Sequence, residues 1–369
     1  MRRITGACLA ALAVASLLGP APAKAAPAAP VPLLAYYYIW YDTSSWNRAK
    51  EDYPELGRYS SDDPAVMARH VDLAKQAGID GFIVSWKSTD TLNRRLEQLS
   101  RIATAKRFKL ALIYEGLDFH RNPLPVATVE HDLTQAADRW THSPAFDIFD
   151  RPLVIWSGTW RFSPAEVARV TRPLRDRLLI LASERDPEGI GRLAGLVDGD
   201  AYYWSSVDPR GTPGYRRKLA AMEQAVHARG GLWIAPAAPG YDARKVGGKR
   251  VVARRDGATL GEELAAAAAS SPDAIGLISW NEFSESSHVE PSLRYGHRYL
   301  DVLRSLRSDP EARAVQGGDF ASDEPAGRDA GPGRFLLVGA LLLGGIGGLA
   351  VVIRRAIKGE EAGHAPRRS

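Results

Sequence analysis

The sequence predicts a single (β/α)8 barrel, on three observations. The stretch suited to a core, residues 31–307, has about the length that such a barrel takes up. Within it, eight short apolar runs alternate with longer stretches of helical periodicity, the pattern of buried parallel strands joined by crossover helices. Aromatics, acids and amides collect where those runs end, the end at which such barrels carry their chemistry.

Taken in order, the first strand is LLAYYYI (33–39), followed by the helix DPAVMARHVDLAKQAG (63–78) behind an Asp62 or Asp63 cap. GFIVSW (81–86) leads to TLNRRLEQLSRIATAK (91–106), KLALIYE (109–115) to VATVEHDLTQAADRW (126–140), and PLVIW (152–156) to SPAEVARVTRPL (163–174). LLILAS (178–183) is followed by the least marked helix, about 188–196. GDAYYW (199–204) leads to TPGYRRKLAAMEQAVHARG (212–230), GLWIAP (231–236) to ATLGEELAAAAASS (258–271), and AIGLISW (274–280) is the eighth strand.

Both ends of the chain read as something other than barrel. Residues 1–26 join Arg2 and Arg3 to an apolar run and then to Ala23-Lys24-Ala25, the make-up of a secretory signal peptide with its cleavage site. Cys8, the chain's one cysteine, lies inside that signal, so the mature protein would have neither a disulfide nor thiol catalysis. Residues 308–333 are poor in aliphatic side chains and read as a flexible linker. The uncharged run FLLVGALLLGGIGGLAVVI (335–353) is close to the ~20 residues that cross a bilayer, giving a transmembrane helix over 334–354. Arg354, Arg355 and Lys358 follow it, which would hold the tail, 355–369, in the cytoplasm and the barrel outside. The expectation is a single-pass protein of the cell membrane with an extracellular, monomeric barrel.

The net charge of +5 follows from this topology. Three basic side chains of the signal and a net three in the tail account for six charges, leaving the rest at −1, so no nucleic-acid partner is implied. Histidines 70, 120, 131, 142, 227, 288, 297 and 364 show neither HxH nor HExxH spacing, and no metal or cofactor is expected. Neither a phosphate-binding loop nor Gly-x-Ser-x-Gly occurs, which argues against nucleotide chemistry and a serine hydrolase.

The strand ends carry Tyr38, Trp40 and Tyr41; Trp86 and Lys87; Glu115; Trp156; Glu184; Tyr203 and Trp204; Pro236; and Trp280, Asn281 and Glu282. Rings and carboxylates on one rim suit a sugar, whose faces stack on aromatics while its hydroxyls bond acids and amides. Barrel cores also use Tyr and Trp, which is the alternative for each ring taken singly. Glu282 and Glu285, three apart after the eighth strand, would lie about 5–6 Å apart at Cβ on a helical turn, a spacing that suits a retaining glycosidase. By spacing alone, the same pair also fits a solvated helix face.

Several segments, in order, carry a resemblance: AYYYIWYD (35–42), YPELGRYSSDDPAVMARHVDLAKQAGIDGFIVSW (53–86), SPAF (143–146), APAAPGYDARKV (235–246) and SWNEFSESSHVEPS (279–292). Together they closely resemble glycoside hydrolase family 99, the endo-acting α-mannosidases and α-mannanases, over nearly all of 33–305. The resemblance implies a (β/α)8 barrel that cuts inside α-mannosyl chains with retention, the sugar's own 2-hydroxyl attacking the anomeric carbon to give a 1,2-anhydro sugar. It implies Glu282 as the base on that hydroxyl and Glu285 as the acid on the leaving oxygen, with Asn281 orienting the pair or the sugar. It further implies Glu115 as a ligand of sugar hydroxyls, Tyr38, Trp86 and Tyr203 as aromatic subsites, and Glu290 with His288 where the loop after the acid closes. For these last two, binding the substrate and holding the loop are both open.

Two departures bear on specificity. Where the family usually reads NEWHEGTQIE, this chain has Phe283, Ser284, Ser286, Ser287, His288 and Val289, and Lys87 replaces a usual second aromatic after Trp86. Three functions stay open: a surface-anchored retaining endo-α-mannosidase, a related barrel hydrolase acting on another α-glycan or cell-envelope polysaccharide, and an inactive glycan-binding barrel.

Overall fold

The computed structural model describes residues 31–140 and 142–308. The expected signal peptide, transmembrane helix and cytoplasmic tail, and the linker beyond Ser308, lie outside the described residues. Among the described residues, no helix is long and apolar enough to cross a membrane.

The described residues hold ten strands: β1 (Leu33–Tyr38), β2 (Gly81–Trp86), β3 (Lys109–Glu115), β4 (Leu153–Ser157), β5 (Leu179–Ala182), β6 (Gly199–Ala201), β7 (Leu232–Ala237), β8 (Tyr241–Asp242), β9 (Val251–Val252) and β10 (Ala274–Leu277). Eight of them close a barrel in the order β1-β10-β7-β6-β5-β4-β3-β2, every neighbouring pair parallel. β8 and β9 form a separate antiparallel ribbon. The predicted barrel is thus present, with strands that are apolar because both faces are covered. Gly199 opens β6 at φ 155°, where an added Cβ would lie 2.0 Å from the Leu232 carbonyl oxygen, so only glycine lets β6 approach β7 this closely.

The helices are α1 (Pro64–Gln76), α2 (Asp90–Lys106), α3 (Val126–Trp140), α4 (Pro164–Thr171), α5 (Pro187–Arg192), α6 (Tyr215–His227), α7 (Ala258–Ala268) and α8 (Arg298–Ser308). Their starts follow capping chemistry. Asp63, with Pro64 behind it, accepts the Ala65 amide, Ser163 and Glu166 form a capping box, and Asp186 caps α5 through Gly189. Asp62, the other cap candidate, instead takes the Arg95 guanidinium of α2.

Several elements are shorter than the sequence expectation, among them α6, which spans Tyr215–His227 rather than 212–230, α7, which ends at Ala268 rather than 271, and two strands. β6 stops at Ala201 rather than 204, and β10 at Leu277 rather than 280. After Leu277 the ladder is interrupted: the Ile278 and Trp280 amides still bond to the Ala237 and Tyr36 carbonyls at 2.7 and 2.8 Å, but the Ser279 amide between them bonds to the Ser287 carbonyl of its own loop. The ribbon β8–β9 and helix α8 are additional to the elements expected.

Alternation along β1 sets up the site. Tyr36 and Tyr38 point into the barrel toward Tyr203, while Tyr37 points outward to stack on Phe82 and bond His70 of α1.

Candidate active site

The loop after β10 carries both candidate carboxylates, and it closes on itself. The Val289 and Glu290 amides return to the carbonyl of Trp280, and the Ser287 amide bonds the Glu282 carbonyl. Glu282, Phe283, Ser284 and Glu285 therefore follow a turn rather than a continuing strand, as the three-residue spacing required. Outside supports hold the loop from two sides. From the ribbon, Asp242 donates its amide to the Glu285 carbonyl at 2.7 Å. Arg254, just past β9, donates to the carbonyls of Ser286 and His288 at 2.9 and 2.8 Å and lies over the rings of Tyr295 and Tyr299.

Glu282 and Glu285 are both buried, and their surroundings differ. Burial raises Glu282 above the ordinary carboxylate range, but the Ser284 amide at 2.8 Å, the Glu285 amide and the charge of Lys50 oppose it. Glu285 is raised well above that range by burial and by the neighbouring charge of Glu282, opposed only by Arg121. One proton added to the pair thus resides on Glu285, leaving Glu282 ionised.

Phenols surround the pair. The hydroxyls of Tyr38 and Tyr203 share a hydrogen bond, and burial together with the glutamates keeps both protonated, as it does Tyr241. Trp40 lies with its ring 4.3 Å from that of Tyr38. Glu115 enters from β3, accepting from Ser85 Oγ at 3.1 Å, with its carboxyl raised chiefly by burial against the pull of Lys87 and Arg121. The structure therefore brings together Tyr38, Trp40, Glu115, Tyr203, Glu282 and Glu285 among the predicted residues.

The other predicted residues need correction. Trp86 faces the helix layer, where its indole N–H donates to Asn93 of α2 at 2.9 Å and its ring packs beside Tyr114. Trp204 stacks beside Tyr202 in the cluster between α6 and β7. Both miss the rim interior because alternate residues at a strand end face opposite sides of the sheet. Lys87 stays at the edge: its ammonium donates to the Leu117 carbonyl at 2.8 Å and lies 5.6 Å from the Phe119 ring.

Asn281 is fully buried and its amide is used up internally. It accepts the Tyr38 amide at 2.8 Å, donates to the Tyr38 carbonyl at 3.0 Å and donates to the Tyr59 hydroxyl at 3.2 Å. Glu290 accepts from Tyr59 at 2.9 Å and pairs with His70 Nε2 at 3.0 Å, all buried. His288 stacks on Phe283 and bonds Asp52 through Nε2 at 3.2 Å, with Arg254 facing Nδ1. Burial and then Arg254 bring its imidazole down to about 4, so it is neutral. Of the two openings left for Glu290 and His288, their partners are those of loop fixation.

Sequence reading did not find Lys50, Arg121 or Tyr241 as neighbours of the pair. Tyr241 had a signal, since it lies in APAAPGYDARKV; Lys50 and Arg121 come from aperiodic loops and had none. Among the described residues, no three His, Cys, Asp or Glu side chains are grouped to hold a metal ion.

A parallel barrel with two buried carboxylates in unequal environments at the ends of its strands defines an enzyme built for proton transfer. Residues 41–309 match the family model described as Glycosyl hydrolase family 99, and the chain belongs to that family. It is a glycoside hydrolase. Its fold resembles that of the GH99 endo-alpha-mannosidase from Bacteroides thetaiotaomicron in complex with bis-tris-propane, at 22% identity and TM-score 0.67 over 77% of this chain and 99% of that one. A second structure of the Bacteroides thetaiotaomicron enzyme matches at 20% identity and TM-score 0.67, over 78% and 99%. A glycoside hydrolase-like protein matches at 16% and 0.58, over 76% and 96%. No curated protein matches the chain.

Proposed function

We propose that this protein is a retaining, endo-acting α-mannosidase that works through the substrate's 2-hydroxyl. The observation that carries the reading is the division between Glu282, held by amides and Lys50, and Glu285, raised by burial and by its neighbour's charge. Family membership and the endo-alpha-mannosidases of similar fold support the substrate class.

In the first step ionised Glu282 takes the proton of the 2-hydroxyl while that oxygen bonds to the anomeric carbon. The glycosidic bond breaks, and protonated Glu285 gives its proton to the leaving oxygen. In the second step Glu285, now a carboxylate, takes a proton from water as the water oxygen attacks the anomeric carbon. The carbon–oxygen bond of the anhydro ring opens, and Glu282 returns its proton to the 2-oxygen. Two inversions give net retention, and both carboxyls end as they began. Tyr38, Trp40 and Tyr203 offer the sugar ring faces and phenolic donors, and Glu115 an acceptor for hydroxyls.

A second reading, a hydrolase of another α-glycan, draws on Lys87 in place of an aromatic and on the altered residues between Phe283 and Val289. Incubating the mature protein with α-mannans and α-glucans and sizing the products separates the two. Oligosaccharides from α-mannan support the first reading, and cleavage confined to α-glucan transfers the role to the second. Monosaccharides alone would contradict endo action.

We further propose that the enzyme stands outside the cell on a single membrane span. The support is in the sequence of residues 1–26 and 334–369. Protease added to intact cells should release the barrel by cutting within 308–333, and a barrel that resists until the cells are lysed would contradict it.

A further inference from the structure

Four consecutive strand ends on the side of the barrel facing the pair each deliver one cation. Lys87 follows β2, Arg121 follows β3, Arg161 follows β4 and Arg185 follows β5. Two guanidiniums, those of Arg121 and Arg185, face one half-buried ring, Trp160, and Arg161 adds its charge close to both. Arg185 lies over it at 4.4 Å from its centroid and Arg121 at 6.0 Å, while Arg161 is its chain neighbour.

Many arginines of the described residues lie against a carboxylate, as Arg192 does against Glu184 at 3.0 Å, but none of Arg121, Arg161 and Arg185 has a carboxylate within ion-pair distance among the described residues. They repel one another, and Arg121 is half-buried besides. The backbone of Arg121 also occupies the left-handed region at φ 64°, in a turn closed by the Asp118 carboxylate on the amides of His120 and Asn122.

The acids nearby offset this charge only in part: Glu115 and Glu285 attract Arg121, and Glu184 and Asp186 attract Arg185, none of them at ion-pair distance. Glu115 and Glu285 are held toward the protonated form by burial. The carboxylate of Asp118 is occupied by backbone amides, that of Asp186 caps α5, and Glu184 is paired to Arg192. What remains is a cluster of fixed positive charge beside an aromatic face, opening on the same rim as Glu285.

We propose that Arg121, Arg161 and Arg185, around Trp160, bind an anionic substituent of the glycan, a phosphate ester or a carboxylate, so that the enzyme prefers acidic α-glycans to neutral ones. A guanidinium suits this task because its fork matches both oxyanions. The inference rests on the rim being a glycan site, as argued above.

The test uses the mature protein and three α-mannooligosaccharides of one length: neutral, carrying a 6-phosphate, and carrying a uronic acid. For at least one charged substrate, kcat/KM should exceed that of the neutral one by about ten-fold or more at low salt. The ratio should fall toward one in Arg121→Gln/Arg185→Gln and as salt rises, and the favoured arm identifies the anion. Equal or slower cleavage of both charged substrates would overturn this inference and leave the proposed function standing. An arm without turnover keeps the two separable: mannose 6-phosphate and glucuronate are titrated calorimetrically into wild type and the double variant. Binding at least about ten-fold weaker in the variant supports the site whatever glycan is cleaved, and equal or absent binding in both proteins counts against it.

Discussion

Asn281 holds the backbone of Tyr38 from both sides, accepting its amide at 2.8 Å and donating to its carbonyl at 3.0 Å. The loop after the last strand is thereby fastened to the end of the first, and Glu282 is the next residue. An amide side chain suits this, since its carbonyl oxygen accepts and its NH2 donates in one plane.

Asn281→Ala should therefore cost both stability and rate. It leaves two buried backbone groups of Tyr38 without partners, each costing about 1–3 kcal/mol, and frees the turn that carries Glu282. A lower melting temperature together with a reduced kcat is the expected result. An unchanged melting temperature with a raised KM alone would instead make Asn281 a substrate ligand.

The pH dependence of kcat/KM should be a bell lying above the ordinary glutamate value of 4.5. Both carboxyls are raised, Glu282 moderately and Glu285 strongly. Activity requires Glu282 ionised, so it is lost as pH falls through the lower apparent pKa. It requires Glu285 protonated, so it is lost as pH rises through the upper one; both values belong to the coupled pair. A rate that stays level down to pH 4 would contradict this division.

His288 should make the fold sensitive to mild acid. Its folded pKa is about 4 against an ordinary 6.5, so the unfolded chain binds the extra proton between these values. The stability that its burial as a neutral ring allows is present above 6.5 and is lost as pH falls toward 4, to an extent of about 3 kcal/mol. Asp52, lowered by its bond to His288, titrates below this window and does not mask it. Denaturant unfolding at pH 7 and pH 4.5 should show a smaller difference for His288→Asn than for wild type, and an equal difference would contradict the assignment.

The barrel was legible in the sequence because strands covered on both faces must be apolar throughout, which sets LLAYYY or GFIVSW apart from the helices between them. Helix α8 was not, since RYLDVLRSLRS carries Arg298, Asp301, Arg304 and Arg307 around a narrow stripe of Tyr299, Leu300, Leu303 and Leu306. Two-residue strands such as β8 and β9 have no period to detect. In the site, Glu282 and Glu285 were legible from their place after the last strand and their spacing. Trp86 and Trp204 were misplaced because one residue of register decides which side of the sheet a ring takes. Asn281, His288 and Glu290 have the chemistry of ligands, and only their buried partners reveal that it is spent within the protein. Lys50 and Arg121 reach the pair through loops, where folding alone sets which charge meets which.

The central claim is that Glu285 supplies the proton to the leaving oxygen and Glu282 the base for the 2-hydroxyl. It is tested most directly by comparing Glu282→Gln and Glu285→Gln on an α-mannoside with a natural sugar leaving group and on one with an activated aryl leaving group, under conditions where bond cleavage limits the rate. On the natural substrate each variant should lose about 10²–10⁴-fold in kcat/KM, the range of positioned acid–base groups. On the activated substrate, which needs little protonation, Glu285→Gln should recover most of its loss while Glu282→Gln stays impaired. Recovery by Glu282→Gln instead, or near-normal cleavage of the natural substrate by either variant, would contradict the account.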